Sequence, residues 1–396
     1  MLDRVLDPDT PGEIRHGVVP ATLARTATNA AYRFAPPFIA VIGRGLDVSV
    51  AEIGVALAIT DLSGISSPLI GRLVDHVPRR WSMMGGLVGV GGGAALAAGS
   101  NGLVWLTIAL LAMSLAKIVF DVGLGSWIAD QVPFDRRSRV VGLTETSWAL
   151  GLLVGVSAIG VITALSSWRL AYLMAGVAVL VTAIALAPRI PSAPSPSRRA
   201  TVATPTLRMP RAGWLAVIGM VGLMSAAQTL FITFGPWLED DHGFSGVGLA
   251  AVTFGLGTLE LAASTTSAAR TDRWGKERSV VAGTSVMIPA ALAMALVNDS
   301  LVPGLILLGC FITAFEFAIV SAIPIGAELV PGSPGRGIGT MIACGTVGRA
   351  AMAIPATRLY EDHGIGPPAL LGAAAVGVTA VAMTLRLRAL PGPANP

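Results

Sequence analysis

Apolar residues in this chain neither alternate nor keep to one helical face. They run on in stretches of about 20 residues, the length a helix needs to cross the hydrocarbon core of a bilayer. Short polar breaks separate twelve such stretches: 18–43, 51–74, 82–99, 103–131, 141–165, 168–188, 213–238, 246–270, 279–297, 301–330, 337–361 and 367–387. Glycine and proline interrupt several of them, which lipid tolerates better than water does. Ser49 and Ser245 stand where helix caps are wanted. Gly99-Ser100-Asn101-Gly102 and Asn298-Asp299-Ser300 read as tight turns at equivalent places in the two halves. The expected fold class is an all-α membrane protein with twelve transmembrane helices.

The polar breaks repeat. Gly71-Arg72-Leu73-Val74-Asp75-His76-Val77-Pro78-Arg79-Arg80-Trp81-Ser82 returns 197 residues later as Ala268-Ala269-Arg270-Thr271-Asp272-Arg273-Trp274-Gly275-Lys276-Glu277-Arg278-Ser279. Asp130-Gln131-Val132-Pro133 is answered by Glu328-Leu329-Val330-Pro331. A period of half the chain, inside apolar sequence, points to a transporter built from two repeated six-helix halves. The expected divisions are 1–188, a linker at 189–212, and 213–396.

Gly71, Asp75, Arg79 and Arg80 carry a pattern that resembles the loop signature of the major facilitator superfamily, with His76 and Pro78 departing from it. The second copy keeps Asp272, Arg273 and Gly275 but has Ala268 for the first glycine. The resemblance covers the whole chain. It implies the major facilitator fold and a transporter, and it leaves the substrate open.

Composition agrees. The chain is 53% hydrophobic and 13% charged, against roughly 25% charged residues in soluble domains. The net charge of +4 is not a nucleic-acid patch, because the cations obey topology. Arg4, Arg15, Arg72, Arg79, Arg80, Arg136, Arg137, Arg139, the arginines of 189–212, Arg270, Arg273, Lys276, Arg278, Arg336, Arg386 and Arg388 fall on one side. The other side offers Arg44 and Arg169. Positive charge stays inside, so both termini are expected in the cytoplasm of a bacterial inner-membrane protein. Residues 1–17 lack the apolar core of a cleavable signal. The Pro/Ser/Arg-rich linker reads as a solvated tether. Cys310 and Cys344 are expected near opposite faces, unbridged. Trp81, Trp105, Trp168, Trp214, Trp237 and Trp274 fall at span ends and are expected to anchor at the interfaces.

Charges within spans are costly and mark function. Arg25, Arg33, Lys117, Arg349 and Arg358 face Asp61, Asp121, Glu145, Glu260 and Glu316 in number. Lys117 and Asp121 are one helical turn apart and should pair. Arg25 lies at the depth of Glu145. Glu316 has no charge on its own helix, so Arg349 and Lys117 are its candidate cations. Spans one, four, seven and ten line the cavity in the superfamily. The resemblance and these positions together suggest a substrate site of Asn29, Arg33, Lys117, Asp121, Gln228, Glu316 and Arg349. Glu316 is the expected proton carrier, with Asp61 next. The family pattern further implies a cytoplasmic gate. Asp75 would approach the helix start at Gly335-Arg336-Gly337 and Arg79 would pair with Asp130, beside Gly71 and Arg80. Asp272, Arg273, Arg278 and Glu328 would form the matching gate.

Gly151, Gly155 and Gly160 resemble the fifth-helix signature of drug–proton antiporters, with Val156 and Ile159 departing from it. The chain looks like the bacterial multidrug and sugar-efflux branch. The function this implies is proton-coupled efflux of a small organic molecule by alternating access. An uptake symporter or facilitator, and a receptor or scaffold that kept the fold without transport, are the alternatives. No Walker loop is present, His16, His76, His242 and His363 are scattered, and neither an enzymatic activity, a cofactor, a metal nor nucleic acid is expected. The partners are the substrate, protons and the bilayer, and the protein is expected to be a monomer.

Overall fold

The computed structural model describes residues 11–132, 137–190, 209–297, 299–329 and 334–389. These residues form helices and turns without a strand. Eleven helices among them are long and apolar enough to cross a membrane, from Val50–Val74 to Gly366–Ala389. The first of the twelve expected spans is absent from that set: its helix Gly12–Arg33 is long enough but carries Glu13, Arg15, Arg25 and Arg33, and the span is broken after it. Helix runs over Gly12–Arg33, a 3-10 turn over Pro36–Phe38 and helix again over Ile39–Leu46. Neither Pro36 nor Pro37 can donate a backbone hydrogen bond, so the α-helix cannot pass unchanged. Phe34 bridges the break. Its ring stacks 4.9 Å from Phe38 and meets Tyr172 edge-on at 4.8 Å.

Other spans are interrupted too. The second runs through Val50–Leu62, tightens to 3-10 over Ser63–Ser66 and resumes at Ser67–Asp75. The fifth holds a π-helical segment at Gly151–Val156, and the seventh ends in one at Trp237–Asp241. The start of the second span is well specified. Ser49 Oγ accepts from Glu52 N at 3.1 Å while Glu52 Oε2 accepts from Ser49 N at 2.8 Å, a capping box.

The chain divides into two compact units. One comprises Met1–Asp47, Ser66–Val202 and Ser245–Gly257; the other Val48–Ile65, Ala203–Phe244 and Thr258–Pro396. Each unit therefore contains a piece of one span from the other half of the sequence.

The repeat extends from the loops into helix packing. In the first unit, a Cβ on Gly86 would lie 2.6 Å from the backbone nitrogen of Phe120, so spans three and four touch through bare backbone. In the second unit, at the repeat position, a Cβ on Gly283 would lie 2.8 Å from Ala314 O and Ala318 Cβ. Lipid gives no hydrophobic drive for helix association, so close approach through small residues supplies it. Gly86→Leu is expected to destabilise the purified protein by about 1–3 kcal/mol. Gly92→Leu, where nothing lies within 4 Å of the added Cβ, should melt with the parent. Equal melting of the two variants in detergent would contradict this packing.

The two motif turns differ in backbone. Gly275 opens the ninth span at φ +88°, a region that favours glycine. Its counterpart Pro78 sits at φ −53°. Proline for glycine in the first copy thus accompanies a different turn. The aromatic belt also needs correction. Trp81, Trp105, Trp214 and Trp274 are exposed, but Trp168 and Trp237 are buried. Trp168 sits edge-on to Tyr172 at 6.3 Å, and Trp237 to His242 at 4.8 Å. These two fill protein interior. Cys310 and Cys344 are free thiols.

Candidate functional site

Ionisable side chains collect at two places, one in each unit. In the first unit, the fourth span, Leu103–Gln131, carries Lys117 and Asp121 on one face. Lys117 Nζ lies 2.5 Å from Asp121 Oδ2. Arg25 of the first span reaches the other carboxylate oxygen, Nε to Oδ1 at 3.2 Å. The same guanidinium binds Glu145 Oε1 at 2.8 Å and donates to Thr144 O at 3.1 Å, both on the fifth span. Charges thus alternate along Lys117, Asp121, Arg25 and Glu145 across three helices. Depth along the spans suggested the Arg25–Glu145 pair. The Arg25–Asp121 contact had no sequence signal, because it depends on how the first span is rotated.

One turn further along the first span, Asn29 Nδ2 donates to Ser147 Oγ at 3.3 Å, while Asn29 Oδ1 is buried without a hydrogen-bond partner. Arg33 donates to Trp148 O at 2.9 Å, and its guanidinium carbon lies 4.5 Å from the centre of the Trp148 ring. Lys117 Nζ stands 5.8 Å over Tyr32. Cations over aromatic faces are stabilised by the ring quadrupole. The glycine signature of the fifth span makes this proximity possible. A Cβ on Gly151 would lie 2.8 Å from Asn29 Cβ, and one on Gly155 would run into Ala30.

In the second unit, Asp61 meets groups from two other spans. Arg349 Nε on the eleventh span is 3.3 Å from Asp61 Oδ1, and Gln228 Nε2 on the seventh donates to Oδ2 at 3.3 Å. Arg349, a candidate cation for Glu316, is therefore held by Asp61, and Lys117 by Asp121. Gln228 joins the same carboxylate. Glu316 Oε1 accepts from Ser264 Oγ of the eighth span at 2.6 Å. Ser264 was not singled out in the sequence. Its signal was faint: a small polar residue one turn from Glu260, itself fully buried. Phe231 and Phe315 meet beside Glu316 in sequence, ring centres 5.8 Å apart.

At the motif loops, Arg79 Nε binds Asp130 Oδ2 at 2.8 Å and its Nη1 donates to Val74 O at 3.0 Å. At the repeat position, Lys276 Nζ binds Glu328 Oε1 at 2.6 Å. Lys276, which the sequence reading of this gate did not include, is thus one cation on Glu328, while Arg273 and Arg278 are exposed. Buried Arg386 of the last span adds contacts to Glu277 Oε1 at 3.1 Å and Glu328 Oε2 at 3.6 Å. Arg80 is half-buried, and nothing lies within 4 Å of a Cβ built on Gly71. The side chains of Asp75, Asp272 and Arg336 lie outside the described residues. Among the described residues, no three His, Cys, Asp or Glu side chains gather as metal ligands.

The sequence profile of the Major Facilitator Superfamily matches residues 21–353. The chain belongs to the major facilitator superfamily. It is a multi-pass membrane transporter, not an enzyme. No curated protein sequence matches it. A bacterial homologue of the human lysosomal transporter Spinster, inward-facing and unoccupied, superposes with a TM-score of 0.79 at 12% identity, covering 97% of this chain and 99% of that one. Its occupied inward-facing form gives 0.73 at 13% identity, covering 95% and 98%. The human organic anion transporter MFSD10 (TETRAN) gives 0.65 at 20% identity, covering 95% and 100%. Likeness at these identities is likeness of fold: twelve helices in two repeated sets of six.

Proposed function

We propose that this transporter exports a small organic molecule in exchange for protons. It would work by alternating access as a monomer in a bacterial inner membrane, with both termini in the cytoplasm. The observation that carries this reading is the pair of buried polar clusters, because ionisable groups in a membrane interior are seldom kept without a role. Asn29, Arg33, Lys117, Asp121, Gln228, Glu316 and Arg349 are the proposed substrate contacts. Glu316 is the proposed proton carrier and Asp61 the second candidate. Gly71, Asp75, Arg79, Arg80 and Asp130, with Asp272, Arg273, Arg278 and Glu328, are the proposed cytoplasmic gate, to which we add Lys276. The glycines of the fifth span support the efflux branch through their resemblance to the antiporter signature. One structural neighbour is named as an organic anion transporter, which agrees with a small organic substrate.

A thermal-shift screen of the purified protein against metabolites and drugs selects a ligand for flux measurement in proteoliposomes. In vesicles acidic inside, proton efflux through an antiporter drives ligand in, so accumulation there is the expected result. Accumulation in vesicles alkaline inside would instead identify a symporter. Flux indifferent to the gradient would identify a facilitator, and binding without flux a receptor.

A further inference from the structure

We propose that the Asp61–Arg349 ion pair is the lock of one of two matching helix seams. The proposal rests on the alternating-access reading. The first seam lies within the second unit, between residues 48–65 of the second span and the eleventh span. It is antiparallel and in continuous register. Ala51 N donates to Glu361 Oε1 at 2.9 Å. Gly54 lies against Thr357 and Gly64 against Thr346, so closely that a Cβ on either glycine would collide with the threonine hydroxyl. Asp61 and Arg349 pair between these two contacts at 3.3 Å.

The second seam lies within the first unit, between the fifth span and Ser245–Gly257. A Cβ on Gly246 would lie 2.9 Å from Ala164 Cβ, and one on Gly160 would lie 3.0 Å from Ala250 Cβ. Ser157 and Thr253 hydroxyls meet at 3.3 Å. A Cβ on Gly257 would lie 2.5 Å from the backbone of Leu153. The 197-residue repeat maps the second span on the eighth and the fifth on the eleventh, so the seams are copies of each other. Their side chains differ at most of these contacts, Ser157 and Thr253 falling on Ile354 and Ala56, and the ion pair has no counterpart in the second seam. Asp61 falls on Thr258 and Arg349 on Leu152.

Small-residue contacts hold by dispersion, which falls away within about an ångström of separation. A seam made of them alone parts with no charge left behind. The first seam cannot part so freely, because separating Asp61 from Arg349 leaves two charges to be housed apart in a membrane interior. Gln228 strengthens the closed form by its bond to Asp61. The seam also ends where the second span can bend: Ser63–Ser66 is 3-10, and Ser66 onward belongs to the other unit. The ion pair therefore sets how often the first seam is open, while the second follows passively.

Reaction of a buried cysteine with a charged maleimide reads this in detergent, without substrate or gradient. Thr357→Cys reports on the first seam in a Cys310→Ser, Cys344→Ser background, and Thr253→Cys reports on the second. Asp61→Asn and Arg349→Gln should each raise the reaction rate at position 357 by about tenfold. The swap Asp61→Arg with Arg349→Asp should return it towards the parent rate. Ser157→Ala should change the rate at position 253 by less than about twofold. Unchanged rates at position 357 in both single variants, or no recovery in the swap, would overturn the lock. So would a failure of both single variants to give monodisperse protein, since the pair would then be a structural staple. A chain that moves no ligand in vesicles can still pass this test, which separates failure of the lock from failure of the exporter reading.

Discussion

Asp121→Asn is expected to cost the protein about 1–3 kcal/mol, below the scale for a fully buried ion pair because the Asp121 side chain is 28% exposed. The carboxylate holds two cations at once, Lys117 at 2.5 Å and Arg25 at 3.2 Å. Asparagine keeps the shape but withdraws the charge. Arg25 still has Glu145 at 2.8 Å, though that side chain is half exposed and better screened. Lys117 is left with the face of Tyr32, far less than a carboxylate offers. Removing the cation as well should therefore help: Lys117→Met with Asp121→Asn should be more stable than Asp121→Asn alone. The coupling in that cycle should reach at least about 1 kcal/mol. Thermal melting of the four proteins in one detergent supplies the numbers. If Asp121→Asn melts with the parent, the network contributes nothing to stability.

Glu316→Gln is expected to abolish flux driven by a pH gradient while substrate exchange at equal pH survives. A proton carrier must be housed in both ionisation states. Glu316 is buried, and Ser264 Oγ donates to its Oε1 at 2.6 Å. A hydroxyl can donate equally to a carboxylate or to the carbonyl oxygen of the acid, so this partner suits either form. Glutamine offers Ser264 the same acceptor and removes the titration. Exchange should stay within about tenfold of the parent, the scale of one altered hydrogen bond. Both fluxes are measured in the same vesicles. Full gradient-driven flux in Glu316→Gln would reduce Glu316 to a structural partner and move the coupling role to Asp61.

Hydropathy, repetition and local spacing were enough for the architecture. The free energy of placing each residue in hydrocarbon is nearly a property of that residue, so long apolar runs announce spans one by one. The repeat of Asp75 at Asp272 and of Asp130 at Glu328 revealed two halves. Lys117 and Asp121 were legible as a pair because one helical turn separates them. The broken first span was legible as a stretch but not as a break, although Pro36-Pro37 marks the place.

Contacts across helices were another matter. Successive residues on a helix point about 100° apart, so a partner is decided by rotation and register that no single span encodes. Lys276 and Arg278 are two residues apart and point to opposite sides, and only the former reaches Glu328. Trp168 and Trp237 sit at span ends like the other tryptophans, yet neighbouring helices bury them. Asp61 shows the limit most clearly. It is an ordinary acid in an apolar run, and its sequence assigns it no partner. Tertiary packing brings Gln228 and Arg349 to its two oxygens from the other half of the chain. The sequence set the cost of burying that charge. Which groups offset it was decided by the packing of three helices far apart along the chain.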